Sequence, residues 1–230
     1  MAEIRDLEVV VFDVLGTLVD EPSGLRAAIR NAAPAFDEAT VDQLLTAWQQ
    51  HVESEQQRME QGHREYANTQ VIDREAAQVV ADRAGLADPG VVEELATAGQ
   101  RLPPWGDSVA GLERLAQHFP LVGLSNASRA ALLRLNAHAG LRWHQALSAE
   151  AVLAYKPAPE VYQLAIDAAG CAPESMLMVA AHAWDLRGAQ AAGMLTAYVH
   201  RPVGDPPRNS DVFDGQFNGL DELVTALTGT

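Results

Sequence analysis

Read for its apolar and polar positions, the chain falls into two regimes. Four short runs are apolar without alternation: Val9-Val10-Val11-Phe12, Leu121-Val122-Gly123-Leu124, Met176 to Ala181, and Leu195 to Val199. Continuous runs of that length predict strands buried on both faces, as in a parallel sheet. From residue 107 onward these runs alternate with helical segments. One is capped by Asp107 or Ser108 and runs to about His118. The others are Arg129–Ala139 before Gly140, Glu160–Ala169 before Gly170, and a stretch opening at Trp184-Asp185 and ending near Ala192. Ala146 to Leu153 is a short apolar segment, Phe213 to Phe217 reads as an edge strand, and Leu220 to Leu227 reads as a last helix. Alternation of this kind predicts a doubly wound α/β core.

Between about residues 25 and 101 the period changes. Leu25, Ala28 and Ile29 share one helical face, and Val41, Leu44, Leu45, Trp48 and Val52 recur at three- and four-residue spacing. Tyr66 to Ala84 and Val91 to Ala98 continue the pattern, with Gly85 and Asp88-Pro89-Gly90 as breaks, while Glu21-Pro22-Ser23-Gly24 reads as a turn. The block is too long for a simple crossover. The expected organisation is a core made of residues 1–20 and 104–230, with a helical cap domain at 21–103 inserted after the first strand. Leu102 to Asp107 is the return linker, with Trp105 as a packing anchor at the hinge.

Composition narrows the function classes. Apolar residues make up 48% of the chain, as in ordinary globular proteins. The formal net charge of −15 argues against nucleic acid and anionic membrane surfaces as partners. An anionic small molecule remains an acceptable substrate if its site is locally positive. Cys171 is the single cysteine, so no internal disulfide forms and no zinc site is expected. Without a membrane-length apolar run or a secretory leader pattern, the expected location is the cytoplasm. Of the 16 basic residues, only Lys156 is lysine, which supplies a compact point charge that arginine's planar fork does not.

The candidate chemistry sits where buried strands end. Asp13 follows Val9–Phe12 directly, and a carboxylate there is costly unless it is paired or used. Gly16 permits a sharp turn and Thr17 offers a hydroxyl beside it. Ser125-Asn126 ends the second run, Lys156 lies in a loop, and Asp185 follows the third run. Each has a bland reading: Asp13 as a turn cap, Ser125-Asn126 as a helix cap, Lys156 as solvated, Asp185 as an N-cap. Ligands of open parallel sheets bind at the carboxyl ends of the strands, which makes Asp13 the candidate nucleophile.

The series Asp13-x-x-Gly16-Thr17-Leu18, Leu124-Ser125-Asn126, Lys156-Pro157 and Trp184-Asp185 resembles the haloacid dehalogenase superfamily. Ser125-Asn126-Ala127-Ser128, Tyr155 through Tyr162, and Ala183-Trp184-Asp185 are similar to its L-2-haloacid dehalogenase (type II) branch. The resemblance spans the whole chain. It implies a Rossmann-like core with a helical cap, and a hydrolase in which Asp13 displaces halide from a small 2-halo carboxylate. Water then opens the aspartyl ester to give a 2-hydroxy acid. The same resemblance implies that Lys156 keeps Asp13 ionised, that Thr17 and Ser125 hydrogen-bond the carboxylates, and that Asp185 positions Lys156 and the water. Asn126, Leu15, Trp184, Tyr162 and His182 would line the substrate site, with Tyr162 also supporting it, and no metal or other cofactor would be needed. Relatives often form homodimers.

The chain departs from the family pattern in three ways. Superfamily phosphatases carry a second aspartate two places after the nucleophile, where this chain has Leu15. General acid–base help of that kind contributes roughly 10²–10⁴-fold, so its absence counts against a magnesium-dependent phosphatase, the main alternative. The branch's halide-binding arginine follows a tryptophan on an early cap helix, but Trp48 is followed here by Gln49; Arg58 or Arg64 is left to reach in, though neither sits at the matching place. The serine and asparagine before Trp-Asp are Ala181 and His182, and His182 is a candidate base for the water step. A third reading is a catalytically altered binding protein.

Overall fold

The computed structural model describes residues 6–229. Residues 1–5 and 230, at the ends of the expected core, lie outside the described residues. Six strands form one parallel sheet: β1 Val9–Asp13, β2 Leu121–Ser125, β3 Gln145–Ser148, β4 Met176–Ala180, β5 Leu195–Val199 and β6 Gly215–Phe217, in the order β3-β2-β1-β4-β5-β6. Every residue of β1, β2 and β4 is buried, as their unbroken apolar runs require. β3 is exposed at Gln145 and Ala146 and buried only at Ser148, so it lacks the continuous apolar signature of the central strands. β6 is shorter than the expected edge strand.

Helices fill both faces of the sheet and the connection after β1. They are α1 Glu21–Ala32, α2 Glu38–Glu60, α3 Thr69–Ala84, α4 Pro89–Ala96, α5 Ser108–Leu115, α6 Arg129–Ala139, α7 Pro159–Ala169, α8 Ala183–Ala191 and α9 Leu220–Thr228. Glu21 to Gly24 is not a turn but the start of α1. The Asp20 side chain accepts from Ser23 N at 3.1 Å, and Pro22 sits in the first turn, where its missing N–H costs nothing. α5 also begins differently from expectation. The Asp107 carboxylate makes no cap bond; it accepts from Arg201 Nη1 and Leu220 N, both at 2.8 Å, and so ties β5's exit and α9 to the linker.

The topology fixes where a ligand can sit. β2 and β4 flank β1, and the chain leaves β1 in one direction and returns on its other side. That reversal opens a crevice beyond the carboxyl ends of β1, β2 and β4. Among the described residues, α1 to α4 and the 3-10 turn Ala98–Gln100 are the regular structure between Asp20 and Leu102, with no strand among them. This helical insert packs against itself mainly through α2, α3 and α4. It meets the α/β core at the corner before α3. There Thr69 Oγ1 accepts from Ser128 N at 2.8 Å, Asn68 Nδ2 donates to Glu150 Oε1 at 2.8 Å, and Tyr155 Oη donates to Ala67 O at 2.8 Å. Trp105 Nε1 donates to Gly16 O at 3.0 Å under the Arg201 guanidinium, so the linker tryptophan holds the turn after β1.

Candidate active site

β1 delivers Asp13 to the crevice, and the turn after it holds the residue there. Leu18 N and Val19 N both donate to Val14 O, and Gly16 adopts φ +75° to close the turn. A side chain at 16 would be strained at that φ, and its Cβ would lie 2.6 Å from His182 Cε1. Gly16 therefore makes room for the His182 ring.

One ammonium and two carboxylates meet under this turn. Lys156 Nζ donates to Asp13 Oδ1 at 2.7 Å, Asp185 Oδ2 at 2.5 Å and Leu124 O at 3.2 Å, which uses all three of its N–H groups. Its side chain is 1% exposed. Thr17 Oγ1 donates to Asp13 Oδ2 at 2.6 Å and accepts from Ala181 N at 2.9 Å. His182 Nδ1 lies 3.1 Å from the same Oδ2. An ionised carboxylate only accepts, so Nδ1 carries the proton of that bond. Tyr162 Oη donates to Asp185 Oδ1 at 2.7 Å.

The charges follow from this geometry. Burial alone would raise the Asp13 pKa, but Lys156 and His182 outweigh it and hold the carboxyl well below the usual range. Burial opposes the Lys156 charge, yet Asp13 and Asp185 raise its pKa above the ordinary lysine value. Burial pushes Asp185 up against the pull of Lys156. For His182, burial is overcome by the hydrogen bond and charge of Asp13, so the imidazole holds its proton more tightly than usual.

The group opens on a cavity of about 480 Å³ between core and insert. Asp13, Leu15, Asn126, Lys156, His182 and Trp184 line its floor; Trp48, Gln49, Val52, Thr69 and Asp73 line its roof. Asn126 is fixed by its Oδ1, which accepts from Lys156 N at 2.8 Å. Three expectations need correction. Ser125 does not bond either carboxylate: it is fully buried, and its Oγ accepts from Ala127 N at 3.1 Å. Tyr162 is not a wall of the cavity; it is fully buried behind Asp185. Arg58 and Arg64 do not reach in, because Glu55 binds both and Glu75 also binds Arg64. Among the described residues, no arginine lines the cavity.

Three acidic residues of the lining, Glu21, Glu53 and Asp73, were missed. Glu21 and Asp73 line the cavity without a hydrogen-bond or ion-pair partner among the described residues. Glu21 was hidden by the turn reading of 21–24. The signal for Asp73 was its place four residues after Thr69, on the same helical face. Among the described residues, no three or more His, Cys, Asp or Glu side chains are grouped to hold a metal ion.

The fold and the site define the class: a doubly wound α/β protein with a buried, paired carboxylate at the end of its first strand. A model of the haloacid dehalogenase-like hydrolases matches residues 7–193, and the chain belongs to that family. Across 228 residues it is 29% identical to (S)-2-haloacid dehalogenase 4A of Burkholderia cepacia, covering 97% of this chain and 96% of that one. The crystal structure of a defluorinating L-2-haloacid dehalogenase superposes with a TM-score of 0.88 at 28% identity, covering 97% and 96% of the two chains. The L-2-haloacid dehalogenase of Xanthobacter autotrophicus with chloropropionic acid covalently bound superposes with a TM-score of 0.82 at 25% identity, covering 97% and 99%.

Proposed function

We propose that this chain is a 2-haloacid dehalogenase that works through an ester on Asp13. The observation that carries the reading is the Asp13 carboxylate itself: buried, held by three donors, kept ionised, and facing a cavity. An Asp13 oxygen attacks C2 of the substrate, the carbon–halogen bond breaks, and halide leaves with the bonding pair. Lys156 and Thr17 aim the carboxylate, Asp185 and Tyr162 hold Lys156, and Asn126, Leu15 and Trp184 shape the floor. The helical insert at 21–103 acts as the cap that keeps bulk water away.

The second step turns on His182. While Asp13 is anionic, it holds the proton on His182. Ester formation removes that negative charge, so the imidazolium loses its main support and releases its proton. The neutral ring then takes a proton from water as the water attacks the Asp13 carboxyl carbon. Collapse of the adduct returns Asp13 and frees the 2-hydroxy acid, with the proton passed to its oxygen. No step calls for a metal or an organic cofactor. Leu15, standing where phosphatases have their acid, supports displacement at carbon over phosphate-ester hydrolysis.

Chloro-, bromo- and fluoroacetate and the 2-halopropionates, assayed for halide release, test the reading. A single turnover in ¹⁸O-water should place label in the Asp13 carboxyl group. No halide from any of them, with magnesium-dependent phosphate release from esters instead, overturns it. Among the described residues, no helix is long and apolar enough to cross a membrane. A cytoplasmic location and a homodimer are consistent with this reading, and sedimentation of the purified chain checks the second.

A further inference from the structure

The cavity has an electrostatic problem. Its walls carry Asp13, Glu21, Glu53 and Asp73, against Lys156 and His182. Lys156 has spent its three donors on fixed partners, and His182 Nδ1 is committed to Asp13. That leaves the Nε2–H of the His182 imidazolium, on the floor, as the one cationic donor not already spent, and among the described residues no cation lines the roof. At the roof, a donor has to be uncharged.

α3 presents two such groups. Thr69 and Asp73 lie one helical turn apart and both line the cavity. Thr69 Oγ1 accepts from Ser128 N, which leaves its own O–H free to donate inward. Asp73 has no hydrogen-bond or ion-pair partner among the described residues. Beside it, the 3-10 turn offers only Gly99, where an added Cβ would lie 3.8 Å from Asp73 Oδ2. A carboxyl in that position, near a second carboxyl at Glu21, keeps its proton. Burial, reinforced by Glu21, pushes Asp73 up to about 8.

We propose that Asp73, with Thr69 one turn before it, is an uncharged donor pair that binds a small monovalent anion at the roof of the cavity. The anion is the substrate carboxylate or the departing halide, and in that identity the inference rests on the dehalogenase reading. Asp73 is thus a specificity-determining residue: as the acid it donates to the anion, and as the carboxylate it repels it. The other groups facing it are Glu21 from α1, Glu53 from α2, Asp13, Lys156 and His182 from the floor, and Tyr155 behind the roof.

Calorimetric titration of the intact chain with sodium bromide, and separately with sodium propionate, at pH 6.5 and 9.5 and constant ionic strength tests this without turnover. At least one anion should bind at pH 6.5 and weaken by roughly 30-fold at pH 9.5, as expected for a group titrating near 8. Asp73→Asn keeps a donor at both pH values and should abolish that loss. Asp73→Leu has no donor and should bind weakly at both. A loss confined to bromide assigns Asp73 to the halide; one confined to propionate assigns it to the carboxylate. Absence of binding, pH-independent binding by the parent chain, or an Asp73→Asn variant that loses affinity like the parent overturns the proposal. Halide release with pH-independent anion binding removes this inference alone. Asp73-dependent anion binding without halide release removes the dehalogenase reading alone.

Discussion

Lys156 Nζ lies 2.5 Å from Asp185 Oδ2 and 2.7 Å from Asp13 Oδ1, so one ammonium spans two carboxylates. Removing it leaves two buried carboxylates with only His182, Thr17 and Tyr162 to offset their charge. Lys156→Met should cost about 3–5 kcal/mol of stability at pH 7, read by urea unfolding. The deficit should shrink as pH falls toward 4, because the stranded carboxyl groups then take up protons. Lys156→Arg should also lose halide release, because a planar guanidinium does not reproduce three divergent N–H bonds around one nitrogen.

The His182 Nδ1 bond to Asp13 predicts a trapped intermediate. His182→Gln removes the base while leaving Asp13 paired with Lys156 and Thr17. The first displacement should survive and ester hydrolysis should slow by roughly 10²–10⁴-fold. Rapid mixing with 2-bromopropionate should give one equivalent of bromide per chain. Intact-mass spectrometry should find the 1-carboxyethyl ester on Asp13.

Gly188 tests the support behind the site. It sits on α8 where any Cβ would overlap the Tyr162 hydroxyl. Gly188→Ala should push Tyr162 off Asp185 and lower kcat with little change in KM. Tyr162→Phe should have the same effect. If displacement of that hydroxyl is the shared cause, the double variant should be no worse than either single one.

Asp73 also leaves a mark on stability. Its pKa is raised from 3.8 to about 8 on folding, so the folded state binds the proton more tightly than the unfolded chain. Its contribution is full below about pH 4 and is lost as pH rises to about 8. Asp73→Asn removes that loss. The variant's Tm should exceed the parent's by most at pH 8 and by least near pH 4, as read by scanning calorimetry.

What was legible in the sequence was what burial writes into residue type. β1, β2 and β4 are buried on both faces, so their apolar runs stood out, and the polar residue ending each run pointed at the crevice. β3 escaped because an exposed edge strand needs no such run. Glu21 escaped because Pro22 reads alike in a turn and in a helix's first turn. Asp13 was found because a carboxylate directly after a buried strand is costly, and Thr17, Lys156 and Asp185 because they complete an ordered set of motifs that resembles a known family. Ser125 and Tyr162 were named correctly as belonging to the neighbourhood but assigned the wrong contacts. Distance along a motif does not tell which way a hydroxyl points. Asp73 lay on a helix face that looked like ordinary amphipathic surface until the insert closed over the sheet.

The seclusion of Lys156 makes the site its own reporter. It carries the one side-chain amine in the sequence, and the fold sequesters it. An acylating reagent therefore meets no lysine on the folded chain's surface. Each ε-amine labelled over time registers an opening event that exposed the centre, and the labelling rate becomes a clock for how often the closed site comes apart.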